Sequence, residues 1–98
     1  MNIKIKSSLL ELTPSIEEAI NEKIGSLEKY FDNIIVCEVE VGKTTEHHHK
    51  GDIFKAEVNL EVPGKILRAE AVTDDLYKSI GEARSKLKME IVKYKETL

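Results

Sequence analysis

The amino-acid order predicts an α+β domain of order β-α-β-β-β-α: a four-stranded mixed sheet with two helices packed on one face. Three observations carry that expectation. Ile16, Ile20, Ile24, Leu27 and Phe31 recur at helical spacing, as do Leu76, Ile80, Ala83, Leu87, Ile91 and Tyr94. Four further segments alternate between apolar and polar residues, as strands with one buried face do. Because each strand has only one apolar face, both helices are expected to cover the same side of one sheet.

The first strand is expected over residues 2–6, with Ile3 and Ile5 facing one way. Thr13 and Pro14 read as an N-cap followed by proline in the first helical position, opening a helix over 14–30. Gly25 lies inside it and weakens it by about 1 kcal/mol relative to alanine. Its solvent side carries Glu17, Glu18, Glu22, Lys23, Glu28 and Lys29. The second strand, 33–42, sets Ile35, Cys37, Val39 and Val41 on one face and Glu38 and Glu40 on the other. Residues 43–52 (KTTEHHHKGD) lack any apolar residue and read as a loop. The third strand alternates Phe54, Ala56, Val58, Leu60 and Val62 with Lys55, Glu57, Asn59 and Glu61, then meets the turn pair Pro63-Gly64. The fourth strand, 65–73, buries Leu67, Ala69 and Ala71, and a long helix over 74–95 follows, with Asp74 as its N-cap. The first helix serves as a crossover between parallel strands, and the last three strands form an antiparallel meander.

Ninety-eight residues suit one small domain spanning 1–98. No apolar run approaches the roughly 18 residues needed to span a bilayer. The N-terminus has no apolar signal core, and the lone Cys37 suits a reducing compartment, so a cytoplasmic location is expected. Cys37 reads as a small buried hydrophobe. The chain has no Gly-rich phosphate loop, serine elbow or H-E-x-x-H, and its carboxylates are scattered over predicted solvent faces. An enzyme is therefore not expected, nor a catalytic residue, cofactor or metal site. His47, His48 and His49 are adjacent on an extended segment and point to alternate sides, so they read as an exposed pH-sensitive loop rather than one ligand set.

Charge gives the strongest functional signal. Between Lys78 and Lys95 six cations stand against Glu82 and Glu90, a local balance of +4 in a chain of −3, leaving −7 for the rest. At 100° per residue, Tyr77, Arg84, Lys88 and Lys95 lie along one flank of the apolar seam, and Lys86 and Lys93 along the other. Such edges suit an anionic partner. Cations are also ordinary on solvated helix faces and favoured in a last turn, so charge alone leaves both readings open.

Two motif-bearing segments narrow the choice. Leu12-Thr13-Pro14-Ser15-Ile16, continuing to Leu27-Glu28-Lys29-Tyr30-Phe31, resembles the first helix of the ribosome hibernation-promoting factors, also called ribosome-associated inhibitor A, protein Y or sigma-modulation proteins. Asp75-Leu76-Tyr77, Ile80, Lys86-Leu87 and Lys93-Tyr94-Lys95 resemble that family's last helix, and Val62-Pro63-Gly64 resembles its hairpin. The resemblance implies a fold similar to double-stranded-RNA-binding domains. It also implies binding to the small ribosomal subunit and its 16S-type RNA, in the channel of messenger and transfer RNA, with no role for DNA or a membrane. Lys23, Lys29, Lys86, Lys93 and, more loosely, Lys95 match the family's basic positions. Tyr77 matches its tyrosine, although that position equally suits the edge of the core. Arg84 and Lys88 join the set on charge and helical position. Several positions depart from the pattern: Glu17 and Ser26 replace frequent basic residues, Met89-Glu90 replaces Arg-Gln, and Gly81 replaces aspartate. Fewer phosphate contacts and a shallower salt dependence are the expected consequence. Two alternatives stay open: a protein-interaction module of the sigma-factor-modulator kind, and a weak homodimer built through the sheet. Whether the chain is a short factor or the first part of a longer one also stays open.

Overall fold

In the computed structural model, which describes residues 1–44 and 51–98, the strands stand in the order β1-β2-β3-β4. β1 (Ile3–Ser8) runs parallel to β2 (Val36–Lys43), while β3 (Phe54–Val62) and β4 (Lys65–Thr73) continue the sheet antiparallel. α1 (Pro14–Gly25) forms the crossover between β1 and β2, and α2 (Leu76–Glu96) follows β4. Both helices cover one face, as the single apolar face of each strand requires. The reading of His47, His48 and His49 falls outside the described residues.

The core lies between sheet and helices. Val39, Val41, Val58, Leu60 and Leu67 meet Ile20, Ile24 and Leu27 from the first helical segment and Ile80, Leu87 and Ile91 from α2. All six seam positions of the last helix are buried. Each large aliphatic side chain so buried contributes roughly 1.5–3 kcal/mol of transfer free energy. Cys37 is fully buried, and burial, with Glu38 nearby, pushes its thiol up to about 12. Among the described residues Ser79 is the buried polar residue of the core; its hydroxyl donates to the Phe54 carbonyl at 3.0 Å and meets the Thr73 hydroxyl at 2.7 Å, tying α2 to β3 and β4. Tyr94 pins the far end of α2, donating to the Pro63 carbonyl at 2.7 Å while Phe31 packs edge-on against its ring.

Local chemistry sets the boundaries. Thr13 caps α1 by accepting from the Ile16 N–H, with Pro14 behind it. At Gly25 the expected single helix tightens: residues Ser26–Tyr30 form a 3-10 segment, and the Ser26 hydroxyl donates to the Lys23 carbonyl at 2.6 Å. Asp75, not Asp74, is the N-cap of α2. Its carboxylate accepts from the Lys78 N–H, while its own N–H donates to the Thr73 hydroxyl, which holds Asp74 one step outside the helix. Ile35 was expected on the buried face of the second strand but precedes β2 and is 53% exposed. In the β3–β4 turn Pro63 is followed by Gly64 at φ +78°, a left-handed position that glycine adopts without penalty. Gly42 lets β1 and β2 approach closely, since a Cβ there would collide with the side chain and carbonyl of Ser8.

Candidate nucleic-acid interface

The seam between α2 and the first helical segment brings distant cations together. Tyr30, at the end of the 3-10 segment, lies at its centre. Lys88 Nζ stands 4.8 Å from the ring centroid, Lys29 Nζ 5.3 Å and the Arg84 guanidinium carbon 5.6 Å. Arg84 also donates from Nη2 to the Tyr30 hydroxyl at 3.4 Å and from Nε to the Ser26 hydroxyl at 3.3 Å. Lys95 Nζ donates to the Tyr30 carbonyl at 2.9 Å. Lys23 completes the strip at its α1 end, its ammonium passing over Gly81; a methyl group on Gly81 would stand 3.8 Å from it.

Cations close to an aromatic ring repel one another, yet one that lies over a face gains from the ring quadrupole. Three positive charges thus gather around one ring. The Arg84 hydrogen bond holds the Tyr30 phenol below its ordinary value, against the opposing effect of desolvation, with Lys29 and Lys88 adding to the lowering.

Of the eight residues singled out in the sequence, Lys23, Lys29, Arg84, Lys88 and Lys95 lie on this strip. Tyr77 stands on the same flank of α2 by helical position and is 45% exposed, so it is not a core residue. Lys86 and Lys93 occupy the opposite flank. Lys86 Nζ donates to the Glu70 carbonyl of β4 at 2.8 Å, while Lys93 borders the exposed Met89 and Val92. Tyr30 and Ser26 are the organising residues that sequence reasoning missed. Their partner Arg84 is more than fifty positions away, and only the packing of α2 on the 3-10 segment brings them together.

The sheet's outer face differs in character. Lys4, Glu38, Asn59 and Arg68 form one cross-strand row and Lys6, Glu40, Glu57 and Glu70 the next, with Lys55 within 3.5 Å of Glu70 and 3.8 Å of Glu57. These mixed charges neutralise one another, whereas the cations of the strip cluster on the helical side. Among the described residues no group of three or more His, Cys, Asp or Glu side chains is placed to hold a metal, and no helix is long and apolar enough to cross a membrane.

The fold agrees with the comparison to known proteins. The family described as "Sigma 54 modulation protein / S30EA ribosomal protein" matches residues 3–98. The chain belongs to this family. Members similar to it include the ribosome hibernation promotion factors of Bacillus subtilis (strain 168), 33% identical over 95 residues, and of Staphylococcus aureus (strain COL), 34% identical over 95 residues. In both cases 97% of this chain is covered, against 49% and 48% of the relative. The chain thus spans about half the length of the curated relatives it matches. Among solved structures, the N-terminal domain of Protein Y from Thermus thermophilus superposes with a TM-score of 0.83 at 26% identity, covering 96% of this chain and 99% of that one. A ribosomal subunit interface protein from Coxiella burnetii shares the fold with a TM-score of 0.85 at 22% identity, covering 98% and 99%. The sigma 54 modulation / S30EA family thus supplies the β-α-β-β-β-α frame on which this strip is built.

Proposed function

We propose that residues 1–98 form a non-catalytic ribosome-binding domain of the cytoplasm. In this reading it occupies the channel of messenger and transfer RNA on the small subunit and so promotes hibernation. The observation that carries it is the convergence of Lys29, Arg84, Lys88 and Lys95 around Tyr30, with Lys23 beside Gly81 on the same side of α2, on the helical face of a chain whose total charge is −3. Structured RNA is recognised largely through its shape and phosphates, which calls for cations at set spacing rather than base-reading groups. Lys86 and Lys93, across the crest of α2, extend the same face, and Tyr77 offers an aromatic surface at its N-terminal end. Ser26 takes a constructive part here despite replacing a basic residue, because its hydroxyl orients Arg84.

A defined translation reaction with purified ribosomes tests this function. Added protein is expected to suppress initiation, and raising messenger and initiator transfer RNA together is expected to relieve the suppression. Suppression that is indifferent to both would place the target elsewhere. A protein partner recovered without ribosomal RNA would favour the sigma-modulator reading.

A further inference from the structure

β4 is nine residues long and forms one edge of the sheet. Backbone groups along a strand point alternately to its two sides. The Ile35 N–H donates to the Glu61 carbonyl at 2.8 Å, so odd-numbered residues of β3 turn toward β2 and even-numbered ones toward β4. Ala56, Val58 and Leu60 therefore bond Ala71, Ala69 and Leu67. It follows that Ile66, Arg68, Glu70 and Val72 turn their N–H and C=O groups out of the sheet, and the bond from Lys86 Nζ to the Glu70 carbonyl agrees. The side chains of these four residues stand on the face away from the helices, where Ile66 is 56% and Val72 49% exposed.

We propose that this edge pairs with the same edge of a second copy of the chain, antiparallel about Ala69. In that register Arg68 faces the partner's Glu70 and Ile66 faces the partner's Val72, and the two-fold axis repeats both contacts. Outward backbone groups meet outward backbone groups, giving about eight inter-chain hydrogen bonds. Opposite charges and aliphatic side chains directly across an antiparallel pair stabilise it. Neighbouring registers fail. Centring on Arg68 sets two arginines opposite one another, centring on Glu70 sets two glutamates, and a half-step shift opposes outward groups with inward ones. Arg68 Nε is anchored by Asn59 Oδ1 at 2.7 Å, which leaves its terminal nitrogens to reach across.

Lys86 guards this edge in the isolated chain. Its ammonium occupies the very carbonyl that pairing uses, and lysines commonly protect strand edges from unwanted partners. The strip around Tyr30 lies on the other flank of α2, so pairing leaves it uncovered.

Sedimentation velocity on the free protein over a concentration series, with no nucleic acid present, tests the pairing independently of ribosome binding. Reversible dimerisation is expected, tightened several-fold by Lys86→Ala. Arg68→Glu and Glu70→Arg are each expected to weaken it tenfold or more, and the two together to restore it. Circular dichroism confirms that each variant is folded. A monomer at the highest concentration for both the native chain and Lys86→Ala would overturn the proposal. So would single and double charge variants that behave alike.

Discussion

Replacing Lys29 and Lys88 together with glutamine removes two of the three cations that stand over the Tyr30 ring. Arg84 keeps its bonds to Ser26 and the Tyr30 hydroxyl, so the local frame persists. Each phosphate contact contributes about 0.7–0.9 to the slope of log affinity against log salt. Two lost contacts should therefore flatten that slope by about 1.4–1.8 and lower affinity roughly 40-fold at about 0.1 M salt. The matched control is Lys4 and Lys6 to glutamine, an equal change of net charge on the exposed outer face of β1. Binding of both variants to purified small subunits, measured by filter retention at four or more salt concentrations, gives the slopes. The control should match the native chain. Equal losses from both variants would show that net charge rather than the strip governs binding, and the geometric argument would fall.

Other expectations follow from single features. Leu9 sits at φ +59° and is 65% exposed, a left-handed conformation that disfavours branched L-residues by about 1–2 kcal/mol. Leu9→Asn should therefore raise stability by about 0.5–1 kcal/mol in urea unfolding, and a loss would mean that its remaining apolar contacts outweigh backbone strain. The Tyr30 phenol should ionise below the ordinary value of 10.0 in an ultraviolet titration, and Arg84→Gln should return it toward that value. Because its folded-state pKa is depressed, the unfolded chain binds more protons in that window. Its contribution to stability should therefore rise with pH between the two values, relative to Tyr30→Phe. Cys37 should resist thiol reagents at pH 8 until the protein is unfolded, since a thiol pushed up to about 12 carries almost no thiolate.

How far the chain could be read in advance follows from the range of the interactions. Helix and strand periods are local, so the apolar stripe of α2, the cap at Thr13 and the Pro63-Gly64 turn were readable directly. Boundaries that depend on competing hydrogen bonds were less so. Asp74 and Asp75 are chemically identical, and the Thr73 hydroxyl, by engaging the Asp75 N–H, decides which one caps α2. Ile35 continues the alternation of its strand, yet it stands beyond the strand's start. The interface was half readable. Helical position grouped Arg84, Lys88 and Lys95 on one flank, and all three meet Tyr30. That Arg84, Lys88, Lys29 and Lys95 all address Tyr30 depends on how two helical segments dock, which no local pattern encodes.

Co-sedimentation with purified small ribosomal subunits across a salt series tests the central claim most directly. Saturable binding whose log affinity falls with log salt at a slope of about −3.5 to −4.5 would match five phosphate contacts from the strip. Absence of binding at the lowest salt, or binding indifferent to salt, would contradict it.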